Sequence, residues 1–357
     1  MIQRSALISL LDRFLRENTG SGTNSGSYVL CLDGVRAASI LLVLASHSLP
    51  LGPGDWLLNA AAGRMGMALF FCLSGYLIVS ILYKDQRIIP FLAKRVTRVL
   101  PALFLYVTVL LIFFDLPWRS WLLNVTFLSN YHFSGLVGGP VGHLWSLCVE
   151  MHFYLAISVI VYLFGRNGLF LVFPAALIIT AMRIDVEVNS HISTHLRADE
   201  IAVGGWLALI SIHYGDRLRR WLSDLRVAAP LIISTSALVV LSSHDEGGFW
   251  VYLRPYLTML LVGLIMHGNF PALKSILESL VAQFIAKISY ALYLWHPLML
   301  SGWFKSGSTI ERYLLKRPIS WALAFLAAHL STKYWEGRCQ RMVRSWLNKR
   351  DPQKSIA

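Results

Sequence analysis

The stretch LDGVRAASILLVLASH, residues 32–47, is apolar enough for a membrane helix yet carries Asp33 and Arg36 near its start and His47 at its end. An ionisable side chain at bilayer depth costs roughly 2.5–3.5 kcal/mol on insertion scales, so each needs a partner or a task. Arg36 and His47 are eleven residues apart, which at about 100° per residue is about 1,100°, roughly 20° beyond whole turns. They share a helix face, separated by roughly 16 Å along the axis. That face presents a fixed cation at one depth and a titratable base at another, which suits an anionic carrier and a proton abstraction. Each residue also has a plainer reading. Arg36 can snorkel or pair with Asp33 at i, i+3, and His47 can be an interfacial histidine satisfied by a neighbour.

Other stretches offer related chemistry. FLAKRVTRVLP holds Lys94 with Arg95 and Arg98, two guanidinium groups one turn apart. Such a pair can grip a diphosphate or nucleotide phosphate bidentately, or can simply anchor a helix end. GHLWSLCVEMHFYL sets Glu150 and His152 in an apolar span, where a carboxylate should face the bundle interior and pair with an arginine or orient an imidazole. STHLRADEIAVGGWLA offers Arg197, Asp199 and Glu200 at a span entrance, where acids also cap a helix amino terminus. In ISYALYLWHPLML, His296 precedes Pro297, which also reads as a kink with a satisfied histidine.

These side chains need membrane helices to hold them. The chain has 357 residues, 56% hydrophobic and 14% charged, with a mean hydropathy of +0.57, far from a soluble domain. Apolar spans are predicted at residues 29–49, 65–83, 99–116, 144–164, 169–182, 201–212, 228–241, 251–266, 284–300 and 319–330. The expected fold class is all-α: a polytopic transmembrane bundle of about ten helices. Basic residues cluster after the second, sixth and tenth spans, which places both termini in the cytoplasm. The same placement accounts for the net charge of +13 without nucleic acid, because basic loops beside membrane helices meet anionic lipid. Four cysteines lack CxxC spacing, so neither a disulfide framework nor a metal site is expected.

MIQRSALISLLDRFLREN sets leucines and Phe14 on one helical face and reads as a cytoplasmic interfacial helix rather than a cleaved signal peptide. SGTNSGS then reads as a flexible linker. The expected organisation is an interfacial helix and linker over residues 1–27, a membrane domain over 28–337 and a basic cytoplasmic tail over 338–357.

In their order, these segments resemble the acyltransferase-3 family of membrane enzymes that O-acylate cell-surface glycans. LDGVRAASILLVLASH is similar to the family's first-helix signature, FFCLSGYLI to its second-helix motif, and KRVTRVLP to its paired arginines. HLWSLCVEMHFYL, LRADEIAVGG and ISYALYLWHPLML resemble later blocks, so the likeness covers roughly residues 28–337. Two positions depart: Met151 stands where a second acid often follows, and Glu336-Gly337-Arg338 replaces the family's Glu-x-Pro. The chain is expected to work without the extracytoplasmic esterase-like domain of some relatives, alone or with a separate partner.

The resemblance implies an acyl-CoA donor, acetyl-CoA foremost, and a glycan or lipid-linked saccharide acceptor at a bacterial inner (cytoplasmic) membrane. Arg36, Lys94, Arg95 and Arg98 would hold the donor, whose pantetheine arm would follow the Arg36 to His47 face. His47 is the expected general base, with an acyl-histidine as a variant. Glu150 would orient His47 or pair with Arg36, Asp33 would fix Arg36, and Trp145, Ser146, Arg197 and His296 would contact the acceptor. No metal is expected, and self-association is left open. A proton-coupled transporter or flippase is the rival from another class, since buried Arg, His and Glu suit a carrier too. A succinyl or longer acyl donor is the rival within the class.

Overall fold

The structure, a computed structural model, describes residues 29–132 and 139–350, with side chains through residue 347. The interfacial helix and linker expected over residues 1–27 lie outside the described residues. Among the described residues, regular structure is helical throughout. The principal helices are α1 Cys31–Ser48, α2 Leu58–Lys84, α3 Ile88–Phe113, α4 Trp118–Val125, α5 Trp145–Phe164, α6 Val172–Asp185, α7 Asp199–Trp221, α8 Leu225–Ser243, α9 Trp250–His267, α10 Pro271–Leu277, α11 Leu280–Trp295, α12 Arg317–Leu330 and α13 Gly337–Arg350. Short 3₁₀ and π segments join several of them.

Six helical runs among the described residues are long and apolar enough to cross a bilayer: α1, Gly54–Lys84, α3, Gly139–Asp185, α8 and α9. A seventh is added if α10 and α11, bent by 49°, act as one span. About ten were expected, and the difference has local causes. The segments anticipated at 144–164 and 169–182 form one helical run, which turns at Gly165, where φ is +60° and only glycine sits without strain. Helix α7 has 23 residues, but acids at its start and arginines at its end shorten its apolar stretch. Helix α12 has 14 residues and continues through a π segment into α13. Helix α3 begins eleven residues before the anticipated span, so Lys94, Arg95 and Arg98 lie within regular helix.

Burial separates central from lipid-facing helices. The apolar window of Gly54–Lys84 is 67% buried, whereas those of α3 and α8 are 33% and 22% buried, which leaves the remaining apolar surface to acyl chains. Helix α2 packs most heavily against α7 and α1. A Cβ at Gly75 would collide with the carbonyl of Ile201, and one at Gly204 with that of Cys72. Small residues on both sides of this seam let two backbones touch, which is how helices attract each other where hydrophobicity supplies no drive. The main buried cluster draws side chains from α1, α2, α3, α5, α6, α7, α11 and α12.

Candidate active site

Two cavities open at opposite ends of the bundle, and α1 contributes to both. The first, about 850 Å³, is lined by Asp33 and Arg36 of α1, Lys94, Arg95 and Arg98 of α3, Tyr290 of α11, and Glu336 beyond the end of α12. Arg95 and Arg98 come together because positions i and i+3 of a helix are neighbours. The Arg95 guanidinium stands 5.7 Å from the Phe91 ring centroid and 5.8 Å from that of Tyr154, a rigid seat for a flat cation. Arg36 approaches Asp33 at 4.0 Å, the i, i+3 pairing anticipated from sequence. Glu336 accepts from the Ser331 hydroxyl at 3.1 Å. Burial pushes its carboxyl up to about 7, against the opposing pull of its hydroxyl partners and Arg98.

The second cavity, about 790 Å³, holds His47, His143 and His296 with Trp145, Arg197 and Tyr293. Ring centroids lie 5.4 Å apart for His47 and His296, and 5.4 Å for His143 and His296. His296, just past the end of α11, gives its Nδ1 hydrogen to the Tyr293 carbonyl at 2.7 Å. Because a carbonyl only accepts, a neutral His296 carries no proton on Nε2, and that buried atom has no hydrogen-bond partner. Tyr293 donates to the His143 carbonyl at 2.5 Å and meets the Ser146 hydroxyl at 2.6 Å. The His47 ring is exposed to the cavity, and among the described residues no hydrogen bond occupies it.

The structure therefore brings His47, His296, Trp145 and Arg197 to one cavity, with Ser146 immediately behind, and Asp33, Arg36, Lys94, Arg95 and Arg98 to the other. Glu150 joins neither. Its Oε1 accepts from Ser74 at 2.8 Å and Tyr154 at 2.5 Å, so it neither orients His47 nor pairs with Arg36; it lies deep between α2 and α5. His152 likewise turns to a loop hydroxyl, Thr194, at 2.7 Å. A second difference concerns the face of α1. The cavities share no lining residue, and the positions between Arg36 and His47 on that face, Ile40 and Val43, are 4% and 5% exposed. Val43 forms part of the wall of the second cavity, whereas Ile40 lines neither and packs against the core. The layer is thin: along α11 the lining passes from Tyr290 to Tyr293 within one turn.

Asp199 and Glu200 do more than cap α7. Arg183 of α6 lies 2.5 Å from Asp199, while Arg197 and Arg254 approach Glu200 at 3.1 and 2.8 Å. All five side chains are at most 2% exposed. Such pairs hold because leaving either charge alone in this interior is costly. They fix α6, α7 and α9 together, and seat Arg197 over Trp145 at 5.4 Å.

Sequence reasoning missed His143, Glu336 and Arg317 as lining residues. His143 stood within the quoted GHLWSL motif beside Trp145, and Arg317 in an unremarked Lys-Arg-Pro helix start. Glu336 stands at the position resembling the family's Glu-x-Pro, with Arg338 where the proline would be. Among the described residues, no three His, Cys, Asp or Glu side chains are grouped as a metal site, and all four cysteines are free thiols.

The acyltransferase-3 family model, described as an acyltransferase domain, matches residues 29–332. Among curated proteins, the chain is similar to O-acetyltransferase OatA of Staphylococcus aureus strain NCTC 8325 / PS 47, with 27% identity over 321 residues, 76% of this chain and 50% of that protein. The same protein from strain COL matches equally. The chain thus spans about half the length of the curated relatives it matches. No solved structure matches it.

Proposed function

This chain belongs to the acyltransferase-3 family, and on that premise we propose that it is a membrane O-acyltransferase, moving an acetyl group from acetyl-CoA to a saccharide hydroxyl. The observation that carries the reading is the pair of cavities at the two ends of α1. One gathers Arg36, Lys94, Arg95 and Arg98, and the other gathers His47, His143 and His296. Guanidinium pairs suit the phosphates of CoA. The positive-inside rule sets that cavity toward the cytoplasm of a bacterial inner membrane, where acyl-CoA is found, and sets His47 toward the far side. Family membership favours this enzyme over a carrier.

The chemistry follows from the neutral imidazole. His47 takes the proton of the acceptor hydroxyl as its oxygen attacks the thioester carbonyl. The new ester C–O bond forms, the C–S bond breaks, and the CoA sulfur leaves and recovers a proton from the imidazolium. His296, its Nδ1 committed to the Tyr293 carbonyl, keeps Nε2 as an acceptor that can orient a saccharide hydroxyl beside His47. Trp145 and Arg197 supply a flat face and a cation for the saccharide. For the thioester to reach His47, the layer at Ile40 must part around the pantetheine arm.

Purified full-length chain in detergent, given acetyl-CoA with and without a saccharide extract from its host, tests the reading. Acceptor-stimulated CoA release that disappears in His47→Ala is expected. Release that ignores both acceptor and His47 rejects it.

A further inference from the structure

The acceptor cavity is more positively charged than a neutral sugar requires. Among the described residues four basic side chains line it, Arg64, Arg197, Lys305 and Arg317, and no acidic one does. Two of the four are held from behind. Arg64 meets Asp245 at 2.7 Å and the Ser243 carbonyl at 2.7 Å; Arg197 meets Glu200 at 3.1 Å and Ser190 at 2.6 Å. Each still keeps one buried nitrogen without a partner, Nη2 of Arg64 and Nε of Arg197.

Arg317 is different. It is 7% exposed, it lines the cavity, and among the described residues its Nε and Nη1 are both buried without a hydrogen-bond partner. Its chain neighbour shows what a satisfied cation looks like here. Lys316 reaches Glu311 at 2.8 Å and the Ser306 carbonyl and hydroxyl at 3.2 and 3.0 Å. Buried guanidinium nitrogens are nearly always paired, and leaving them unpaired is expensive. The site at Arg317 is therefore built for a charge that arrives from outside. Trp321, one turn further along α12, donates its indole N–H to Ser48 at 3.0 Å, and Ser48 follows His47 in the chain. Arg317 thus sits roughly 6 Å along α12 from a direct tie to the catalytic end of α1, within the span of one or two sugar rings.

We infer that the acceptor saccharide carries an oxyanion, a phosphate ester or a carboxylate, which Arg317 holds with Lys305 at the cavity rim while a hydroxyl of the same molecule reaches His47. This rests on the acyltransferase reading for the identity of the molecule as acceptor, but not for its binding. A phosphate would come from a glycosyl phosphate, such as the linkage of a lipid-carried precursor, and a carboxylate from an acidic sugar. Either can take a charge-assisted hydrogen bond from Nε–H or from Nη1–H, which point to different edges of the guanidinium.

Binding of glucose 1-phosphate, glucuronate and glucose to the full-length chain in detergent, followed by saturation-transfer NMR, separates the cases without turnover. At least one anion should bind roughly tenfold or more tightly than glucose, given the strength of charge-assisted contacts in a half-buried site. Preference for the phosphate points to a glycosyl phosphate, and preference for glucuronate to an acidic sugar. Arg317→Gln should erase the preference while the chain stays monodisperse with an unchanged detergent melting temperature, and Arg317→Lys should keep part of it. Equal affinity for all three sugars, or none for any, overturns the inference, as does an Arg317→Gln variant that still prefers the anion. Failure of the acyltransferase reading shows separately, as acetyl-CoA that is never consumed while anion binding persists.

Discussion

The two cavities have similar volumes and opposite electrostatic designs. Among the described residues, seven basic and three acidic side chains line the proposed donor cavity, and four basic and no acidic ones line the proposed acceptor cavity. In the first, acids moderate the cations: Asp33 approaches Arg36, and Glu336 lies among the α3 arginines. In the second, moderation comes from behind the wall, through Asp245 and Glu200, and among the described residues Nε and Nη1 of Arg317 meet no partner. On the proposed function, a site that releases CoA after each turnover benefits from softened attraction. A site that must select one molecule among many neutral glycans benefits from an unanswered charge.

The sharpest way to break this contrast is His47→Ala. Acetyl transfer should fall about 10²- to 10⁴-fold, the usual worth of a general base, while acetyl-CoA affinity, measured by equilibrium binding, stays unchanged. A matched loss of donor binding would merge the two cavities into one site. Next comes the wall behind the acceptor cavity. Glu200→Ala leaves Arg197 and Arg254 as unpaired buried charges and should cost about 3–5 kcal/mol of stability, seen as a large fall in the detergent melting temperature.

Arg95→Ala with Arg98→Ala should raise the KM for acetyl-CoA by roughly 10- to 100-fold, two charge-assisted contacts' worth, with little change in acceptor KM. Ile40→Trp thickens the layer between the cavities and should slow transfer roughly tenfold or more through overpacking of the passage, with CoA binding retained. The smallest effect concerns pH. The Glu336 carboxyl, raised to about 7, loses its charge as pH falls through that value, making the donor cavity more positive. Acetyl-CoA should bind severalfold tighter at pH 6 than at pH 8, and Glu336→Gln should flatten that dependence in calorimetric titrations.

What the sequence disclosed was what depends on helical periodicity. Arg36 and His47 do point toward the same side of α1, and Arg95 and Arg98 do share a face, because those relations are set by 100° per residue. The pairing of Asp33 with Arg36 was legible for the same reason. Relations between helices were not. Glu150 carries no signal that Ser74 and Tyr154 would claim it, since both choices depend on how α2 and α5 meet. Asp199 and Glu200 read as caps because their partners, Arg183 and Arg254, lie on α6 and α9. The number of membrane crossings was blurred by the same network, whose acids sit at the start of α7 and interrupt its apolar run. A stripe on one helix also says nothing of what packs over it, and so Ile40 closes a path that periodicity alone left open.

The glycine seam between α2 and α7 decides how that path can open. With Gly75 under the Ile201 carbonyl and Gly204 against that of Cys72, neither helix can slide along the other without driving a side chain into the opposite main chain. This half of the molecule behaves as the fixed jaw of a vice. Gly66 of α2 lies against the Ser39 carbonyl in the same way and holds α1 to that jaw, so the movement that the proposed thioester needs falls to α11 shifting against α1, and a crosslink pinning those two helices should leave both ligands bound and the acetyl group stranded between them.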